Sequence, residues 1–507
     1  MLFTSWRAGL STGYFSRCTP QTRQHCVVSL LVALGALASA SASAQTLPPG
    51  VEALLTRAKV PREALAAVVV DAMPASNGKI ALPLLNWRAN SPMNPASVMK
   101  LVTTYAGLEL LGPAYTWRTP VYLDGVVDNG VLRGNLIIQG KGDPKLVMER
   151  LWLLLRRVQG LGIKTITGDI VLDRRAFSIS TQNQNPGDFD GEALRPYNVI
   201  PDALLVNYKA VVMTFVPNPS NGQASISYDP PLANVHMQPS VPLARAASGA
   251  EAACGDYRAQ LKADLTDPFR MAFKGSYPAA CGEKTWSVAY PDPASYTARA
   301  MAGLWQEMGG KLVGRVREGV VTPGLKPIFE MESPPLAEVI RDINKYSNNL
   351  MAQQLFLTFS QQRPGGSSNE ASREILRNWW LTRFGPQEPA PILDNGSGLS
   401  RLERVTPQAL ARLLQTAYVS GAMPELMASL PISGVDGTLK RSKSQVSQGW
   451  AHLKSGTLRD ATALAGYVHA PNGRRLVVVA IINHPNAPAA RPALDALVDW
   501  AVQQAGL

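Results

Sequence analysis

Residues 95–101 read Pro-Ala-Ser-Val-Met-Lys-Leu, and the fold turns on whether Ser97 and Lys100 act together. Apolar residues recur at helical spacing over 97–111, after Asn94-Pro95 and before Gly112-Pro113, so the stretch predicts a helix that opens at the serine. On a helix, positions i and i+3 share a face, which brings the lysine amine within reach of the hydroxyl. The positive helix end favours a developing alkoxide and disfavours an ammonium, so Lys100 can take the proton and activate Ser97 as a nucleophile. Alone, this spacing describes many surface lysines one turn after a serine. The reading depends on partners further along.

Two partners follow in order. Tyr346-Ser347-Asn348-Asn349 stands where a loop passes into the apolar helical stretch 350–358. There Ser347 can relay a proton and the Asn349 amide can bind a carbonyl, although the same residues read equally well as a helix cap. Lys454-Ser455-Gly456-Thr457 lies on a predicted strand ahead of the apolar run 461–468. The lysine supplies positive charge, the Ser455 hydroxyl can hold a carboxylate, and Gly456 leaves room for a peptide backbone alongside Thr457. Taken singly, it reads as an edge strand with an ordinary lysine.

Composition removes other classes. Apolar residues are 46% and charged residues 17%, which excludes a disordered chain, a coiled coil and a collagen-like fibre. The net charge of +12 is spread along the chain without a basic block, so no nucleic-acid partner is expected. Five His show no paired metal-ligand spacing, and neither a metal nor a cofactor is implied. Residues 1–44 carry Arg7, Arg17 and Arg23 and no acid, then an apolar run over 27–38, then Ala42-Ser43-Ala44. This is the order of a secretory leader cleaved after Ala44, and the run is too short for a membrane anchor. No later run predicts a membrane span, so an exported, periplasmic protein is expected. Of the four Cys, Cys18 and Cys26 leave with the leader, and Cys254 and Cys281 are expected to pair in an oxidising compartment.

The organisation is that of an α/β (α+β) body interrupted once. Residues 66–72 read as a buried strand, 116 onwards as short strands with Gly, Asn and Asp turns, and 334 onwards as helices. Residues 450–483 close with three strands, followed by a helix over 491–504. Residues 180–190 and 216–245 are rich in Pro, Asn and Ser. The expected division is a leader over 1–44, a discontinuous body of 45–115 and 325–507, and a strand-rich insertion over 116–324 between the first and second motifs.

Ser-x-x-Lys, Ser-x-Asn and Lys-Ser/Thr-Gly in this order match the set found in penicillin-binding proteins and serine β-lactamases. The chain resembles the class C low-molecular-mass penicillin-binding proteins, the D-alanyl-D-alanine carboxypeptidase/endopeptidase family called penicillin-binding protein 4. Further stretches carry the likeness: GNLIIQGKGDP over 134–144, RPYNVIPDALLVN over 195–207, DNGSGLSR over 394–401, LPISGVDGTL over 430–439 and LKSGTLRDATALAGYV over 453–468. Ser455 stands where threonine is commoner, and a hydroxyl is retained. The resemblance implies a penicillin-binding-protein/serine β-lactamase-like transpeptidase fold with the insertion after the first motif. It implies hydrolysis of peptidoglycan stem peptides and cross-links through an acyl-enzyme on Ser97, with β-lactams as covalent inhibitors. Lys100 is then the base and Ser347 the relay. Asn349 holds the acyl chain, Lys454 and Ser455 anchor the terminal carboxylate, and Thr457 shares an oxyanion site with the Ser97 backbone.

Two other functions use the same residues: a serine β-lactamase, which the large insertion disfavours, and a non-catalytic murein-binding protein, which the intact Ser97, Lys100 and Lys454 disfavour. Gly396-Ser397-Gly398 lacks the outer positions and the preceding strand of a nucleophile elbow and reads as a loop beside the cleft. Trp379-Trp380 reads as helix packing. Asp173, after a strand of the insertion, is a candidate contact for the free amine of a diamino acid.

Overall fold

The two ends of the chain meet in one antiparallel sheet. A computed structural model describes residues 46–74, 82–178, 185–245, 252–442, 444 and 446–506. The expected leader and its cleavage point, with Cys18 and Cys26, lie outside the described residues. The sheet runs Ala451–Leu458, Ala461–His469, Arg475–Asn483, Leu65–Asp71, Leu85–Trp87. Leu65–Asp71 pairs with Arg475–Asn483 from Leu65 opposite Ile482 to Asp71 opposite Leu476.

Antiparallel strands usually alternate apolar and polar residues because one face meets water. Here Leu65–Asp71 is apolar at every position but the last, because helices cover both faces. Ala66, Val68 and Val70 join a core with the helices Lys100–Leu110, Leu336–Lys345, Asn349–Thr358 and Pro407–Tyr418. Leu65, Ala67 and Val69 pack with Pro49–Arg57 and Arg491–Gly506 from the other side. The period of two along a strand sorts one apolar run into two cores.

Between the helices Lys100–Leu110 and Leu336–Lys345 the chain builds a second assembly around its own core. A seven-stranded mixed sheet includes Arg118–Asp128, Val131–Gln139 and Ile170–Asp173, and a four-stranded sheet includes Ala210–Asn218, Gln223–Asp229 and Lys284–Ala289. The helices Met148–Gly160 and Pro293–Glu307 pack in the same core. The larger sheet is closed by Phe329–Glu332 against Arg118–Asp128, so its last strand lies beyond the sequence boundary at residue 324. Cys254 and Cys281 form the expected disulfide, with S–S 2.05 Å. Among the described residues no helix is long and apolar enough to cross a membrane.

Candidate active site

The stretch that carries Ser97 begins differently from the sequence expectation. Ala96–Met99 is a 3-10 turn, and the α-helix starts at Lys100. Ala96 just before the serine has φ of +47°, a left-handed conformation that costs an L-residue roughly 1–2 kcal/mol. Asn94 holds this turn in place. Its Oδ1 accepts the Ala96 N–H at 2.9 Å and its Nδ2 donates to the Ser400 carbonyl at 2.9 Å. The Asn483 side chain grips the Asn94 backbone in both directions, at 2.7 and 2.9 Å. Two glycines allow the close packing that results. A Cβ on Gly456 would lie 2.5 Å from the Pro95 carbonyl oxygen, and one on Gly398 2.0 Å from that of Ala96.

Lys100 is completely buried beneath this turn. Its Nζ lies 3.0 Å from Ser97 Oγ, donates to Asn349 Oδ1 at 2.6 Å, and meets the Ser397 carbonyl. Burial lowers its pKa to about 7, opposed by the negative charge of Glu403. A neutral amine is therefore accessible near neutral pH. With two N–H groups directed to Asn349 and Ser397, its lone pair can accept the Ser97 hydroxyl proton.

The second and third motifs meet across the cleft. Ser347 has φ of +57°, and Asn348, not Ser347 or Asn349, caps the helix Asn349–Thr358 by accepting the Met351 N–H. That leaves Ser347 and Asn349 free to turn toward the cleft. Lys454, also completely buried, donates to Ser347 Oγ at 2.9 Å and to the Ser455 carbonyl at 2.8 Å. Burial, then the charge of Lys100 and that of Arg491, holds its pKa well below the ordinary lysine range. The hydroxyls of Ser455 and Thr438 are 2.7 Å apart.

A cleft of about 730 Å³ runs past Ser97, Ser347, Asn349 and Thr457. A hydroxyl against a buried lysine of lowered pKa, with a second lysine on the facing strand, is the equipment of acyl transfer. The family model for the D-Ala-D-Ala carboxypeptidase 3 (S13) family matches residues 50–504. The chain belongs to that family. It is a serine-type D-Ala-D-Ala carboxypeptidase.

Two curated relatives share its length. The D-alanyl-D-alanine carboxypeptidase DacB of Haemophilus influenzae is 26% identical over 408 residues, 79% of this chain and 82% of that one. The D-alanyl-D-alanine carboxypeptidase of Actinomadura sp. (strain R39) is 26% identical over 497 residues, 94% of this chain and 89% of that one. The fold matches the crystal structure of penicillin binding protein 4 (dacB) from Haemophilus influenzae with a TM-score of 0.70 at 22% identity, covering 90% of this chain and 99% of that one.

Within this carboxypeptidase, six of the sequence candidates come together: Ser97, Lys100, Ser347, Asn349, Lys454 and Ser455. Gly456 and Thr457 lie on the same strand, Gly456 against the turn that carries Ser97 and Thr457 in the cleft wall. Asp173 does not join them. It ends the strand Ile170–Asp173 with its side chain buried, and its oxygens accept from the Arg175 guanidinium at 3.1 and 2.9 Å and from the Val321 N–H. The acid that lines the cleft is Asp190, held by the Tyr197 hydroxyl at 2.9 Å and Asn198 Nδ2 at 2.7 Å, with Arg401 in the same wall. Ser397 directs its hydroxyl to Asn395 Oδ1 and only its carbonyl to Lys100. Trp379 and Trp380 are core residues, as their helical setting predicts.

The cleft continues past Tyr346 and Ser347. A second chamber of about 510 Å³ shares Tyr197, Tyr346, Ser347 and Asn349 with the first and reaches Tyr208, Val212 and Ser287 of the strand-rich assembly. Among the described residues, no charged residue lines it.

Proposed function

We propose that Ser97 is the acylated nucleophile of a periplasmic enzyme that trims and opens peptidoglycan, acting as DD-carboxypeptidase on stem peptides and as DD-endopeptidase on cross-links. The observation that carries this reading is the buried contact of Lys100 Nζ with Ser97 Oγ at 3.0 Å, faced by the Lys454–Ser347 contact at 2.9 Å. Neutral Lys100 takes the hydroxyl proton as Ser97 Oγ adds to the carbonyl of the penultimate D-alanine. The oxyanion sits against the backbone N–H groups of Ser97 and Thr457, where each such donor is typically worth about 3 kcal/mol. As the C–N bond breaks, the proton held by Lys100 passes by way of Ser347 to the leaving amine, which leaves Ser347 a hydroxyl and Lys100 neutral for the hydrolytic step. Asn349 steadies the acyl chain, and Lys454 with Ser455 and Thr438 receives the terminal carboxylate, whose charge keeps Lys454 protonated. Water then cleaves the ester and restores Ser97. A β-lactam enters the same path as a mimic whose ester is slow to hydrolyse.

Asp190 takes the place assigned to Asp173 as partner for the free amine of a diamino acid, with Arg401 beside it for a carboxylate. The second chamber supports the endopeptidase activity. It opens at Ser347, where the leaving group departs, and offers room for more than a single D-alanine. The catalytic body is the part built from both chain ends, and the strand-rich assembly supplies the chamber's outer wall. The leader read over 1–44 supports a periplasmic location.

Digestion of purified peptidoglycan followed by mass analysis tests this reading. It predicts loss of terminal D-alanine from pentapeptides and conversion of cross-linked dimers to monomers, both blocked by penicillin. Unchanged fragments with active, penicillin-labelled enzyme would contradict it.

A further inference from the structure

We propose that Glu403 is a positioning residue for the general base: it fixes the turn that presents the Ser397 carbonyl to Lys100, and its negative charge sets how tightly that lysine holds its proton. The inference rests on the reading of Lys100 as the base. Glu403 is completely buried. Its Oε1 accepts three consecutive backbone N–H groups, from Asp394 at 3.2 Å, Asn395 at 3.2 Å and Gly396 at 2.9 Å, while Oε2 has no hydrogen-bond partner.

The turn held this way is tied to the base helix by its carbonyls. Gly396 O accepts from Thr103 Oγ1 at 2.6 Å, and Ser397 O accepts from Lys100 Nζ. Glu403 therefore reaches the base through one rigid turn. The turn has no slack on its other side, because Gly396 is pressed against Phe356 and Gly398 against Ala96.

A hub that only gathers three N–H groups is equally well built from a neutral amide. What a carboxylate adds is charge, and among the described residues Lys100 makes no ion pair of its own. Glu403 is the negative charge that acts on Lys100, opposing the effect of burial. The other charges around the pair are Lys454 on the motif strand, Asp394 on the same turn, and Arg373, which is bound to the Asp394 carbonyl at 2.9 Å and its carboxylate at 3.5 Å. Asp394 is thus already matched by Arg373, whereas among the described residues Glu403 has no ion-pair partner. Burial raises the Glu403 pKa to about 7, while its three N–H donors favour the ionised form. Its charge is therefore present in the upper part of the range in which Lys100 sheds its proton, from about 7 upward.

The test is the pH profile of β-lactam acylation by the full chain with Glu403→Gln, which keeps an oxygen for the three N–H groups and removes the charge. Without an opposing charge, the upper part of the acid limb, near the plateau, is expected to move to lower pH by roughly half a unit, with the plateau within roughly threefold of wild type. Glu403→Ala, which frees the turn, is expected to lower the plateau at least tenfold, on the order expected for a misplaced catalytic group. An acid limb left in place by Glu403→Gln would overturn the electrostatic role and leave a purely structural hub. If the Gln variant does not fold, Glu403→Asp keeps the charge on a shorter arm: an acid limb near the wild-type position with a lowered plateau supports the proposal, and a limb displaced to lower pH overturns it. The wild-type profile, recorded first, separates this from the underlying reading. A wild-type enzyme with no acid limb removes Lys100 as base, whereas a limb indifferent to Glu403 removes only the present inference.

Discussion

Replacing Gly398 by alanine should disable acylation from a position that touches no substrate. The added Cβ would lie 2.0 Å from the Ala96 carbonyl oxygen, 2.3 Å from its carbon and 2.7 Å from Ser97 Cα. All three atoms are backbone, so no rotamer change relieves the overlap, and the turn carrying Ser97 must retreat by roughly 1 Å to restore an ordinary packing distance. A displacement of that size costs on the order of 100-fold in rate, or about 2.7 kcal/mol in the barrier. Gly398 also has φ of +81°, which adds a left-handed penalty of roughly 1–2 kcal/mol to stability. Gly473 is the control, because it has φ of +86° and nothing within 4 Å of its would-be Cβ, at the far end of the hairpin from the motif strand. The assay is the second-order rate of acylation by a fluorescent penicillin, read beside a thermal melt. Both variants should lose about 1 kcal/mol or more of stability, and only Gly398→Ala should lose acylation. Wild-type acylation by Gly398→Ala would refute the claim that this packing fixes the nucleophile.

Acylation should rise about tenfold per pH unit below the Lys100 pKa of about 7 and then level, since the neutral amine is the active form. A limb centred in the ordinary lysine range would contradict the role of burial. The fall at high pH should also begin below that range, because burial weakens the Lys454 ammonium even when Lys100 is neutral. Ser455→Ala should raise KM for substrates with a free terminal carboxylate more than it lowers kcat, and an unchanged KM would remove the anchor assignment. Val212→Trp, which fills the second chamber, should slow cleavage of cross-linked dimers while sparing pentapeptide trimming and penicillin acylation; equal loss on both substrates would remove the chamber from endopeptidase action. Removing the disulfide with Cys254→Ser and Cys281→Ser should cost roughly 3 kcal/mol by the loop-entropy model and leave the acylation rate of the folded enzyme unchanged, as read by denaturant melts and penicillin labelling.

What was legible in the sequence was chemistry set by short spacing. Ser97 and Lys100 are three positions apart on a continuous helical turn, and Ser347 with Asn349 and Lys454 with Ser455 lie within two residues of each other. Local geometry therefore decides each group before the fold assembles them. The body's sheet was legible because strands covered on both faces must be apolar throughout. Residues that reach the site only through tertiary packing were not. Glu403 acts through the backbone of the turn it gathers, and a buried carboxylate has no sequence signature apart from its setting. Asp173 stands out in the sequence because it follows a clear strand, whereas Asp190 comes from a loop whose polar composition hides its direction. The apolar pattern of residues 166–172 alone describes a single strand, but Gly168 packs against Gly134 and Asn135, and the chain divides into Thr165–Ile166 and Ile170–Asp173. Gln223–Asp229 was hidden by its serines, since it buries only Ala224 and Ile226 on one face.

The most direct test of the account is the intact mass of wild type and Ser97→Ala after incubation with penicillin, with digestion to locate the adduct. The account predicts one penicilloyl group on the wild-type chain, on the peptide containing Ser97. It predicts no adduct on the variant, whose melt should match wild type because Ser97 contributes a hydroxyl at the cleft surface and no core packing. A covalent penicilloyl adduct on folded Ser97→Ala, or an adduct mapped to Ser347 or Ser397 in the wild type, would contradict it.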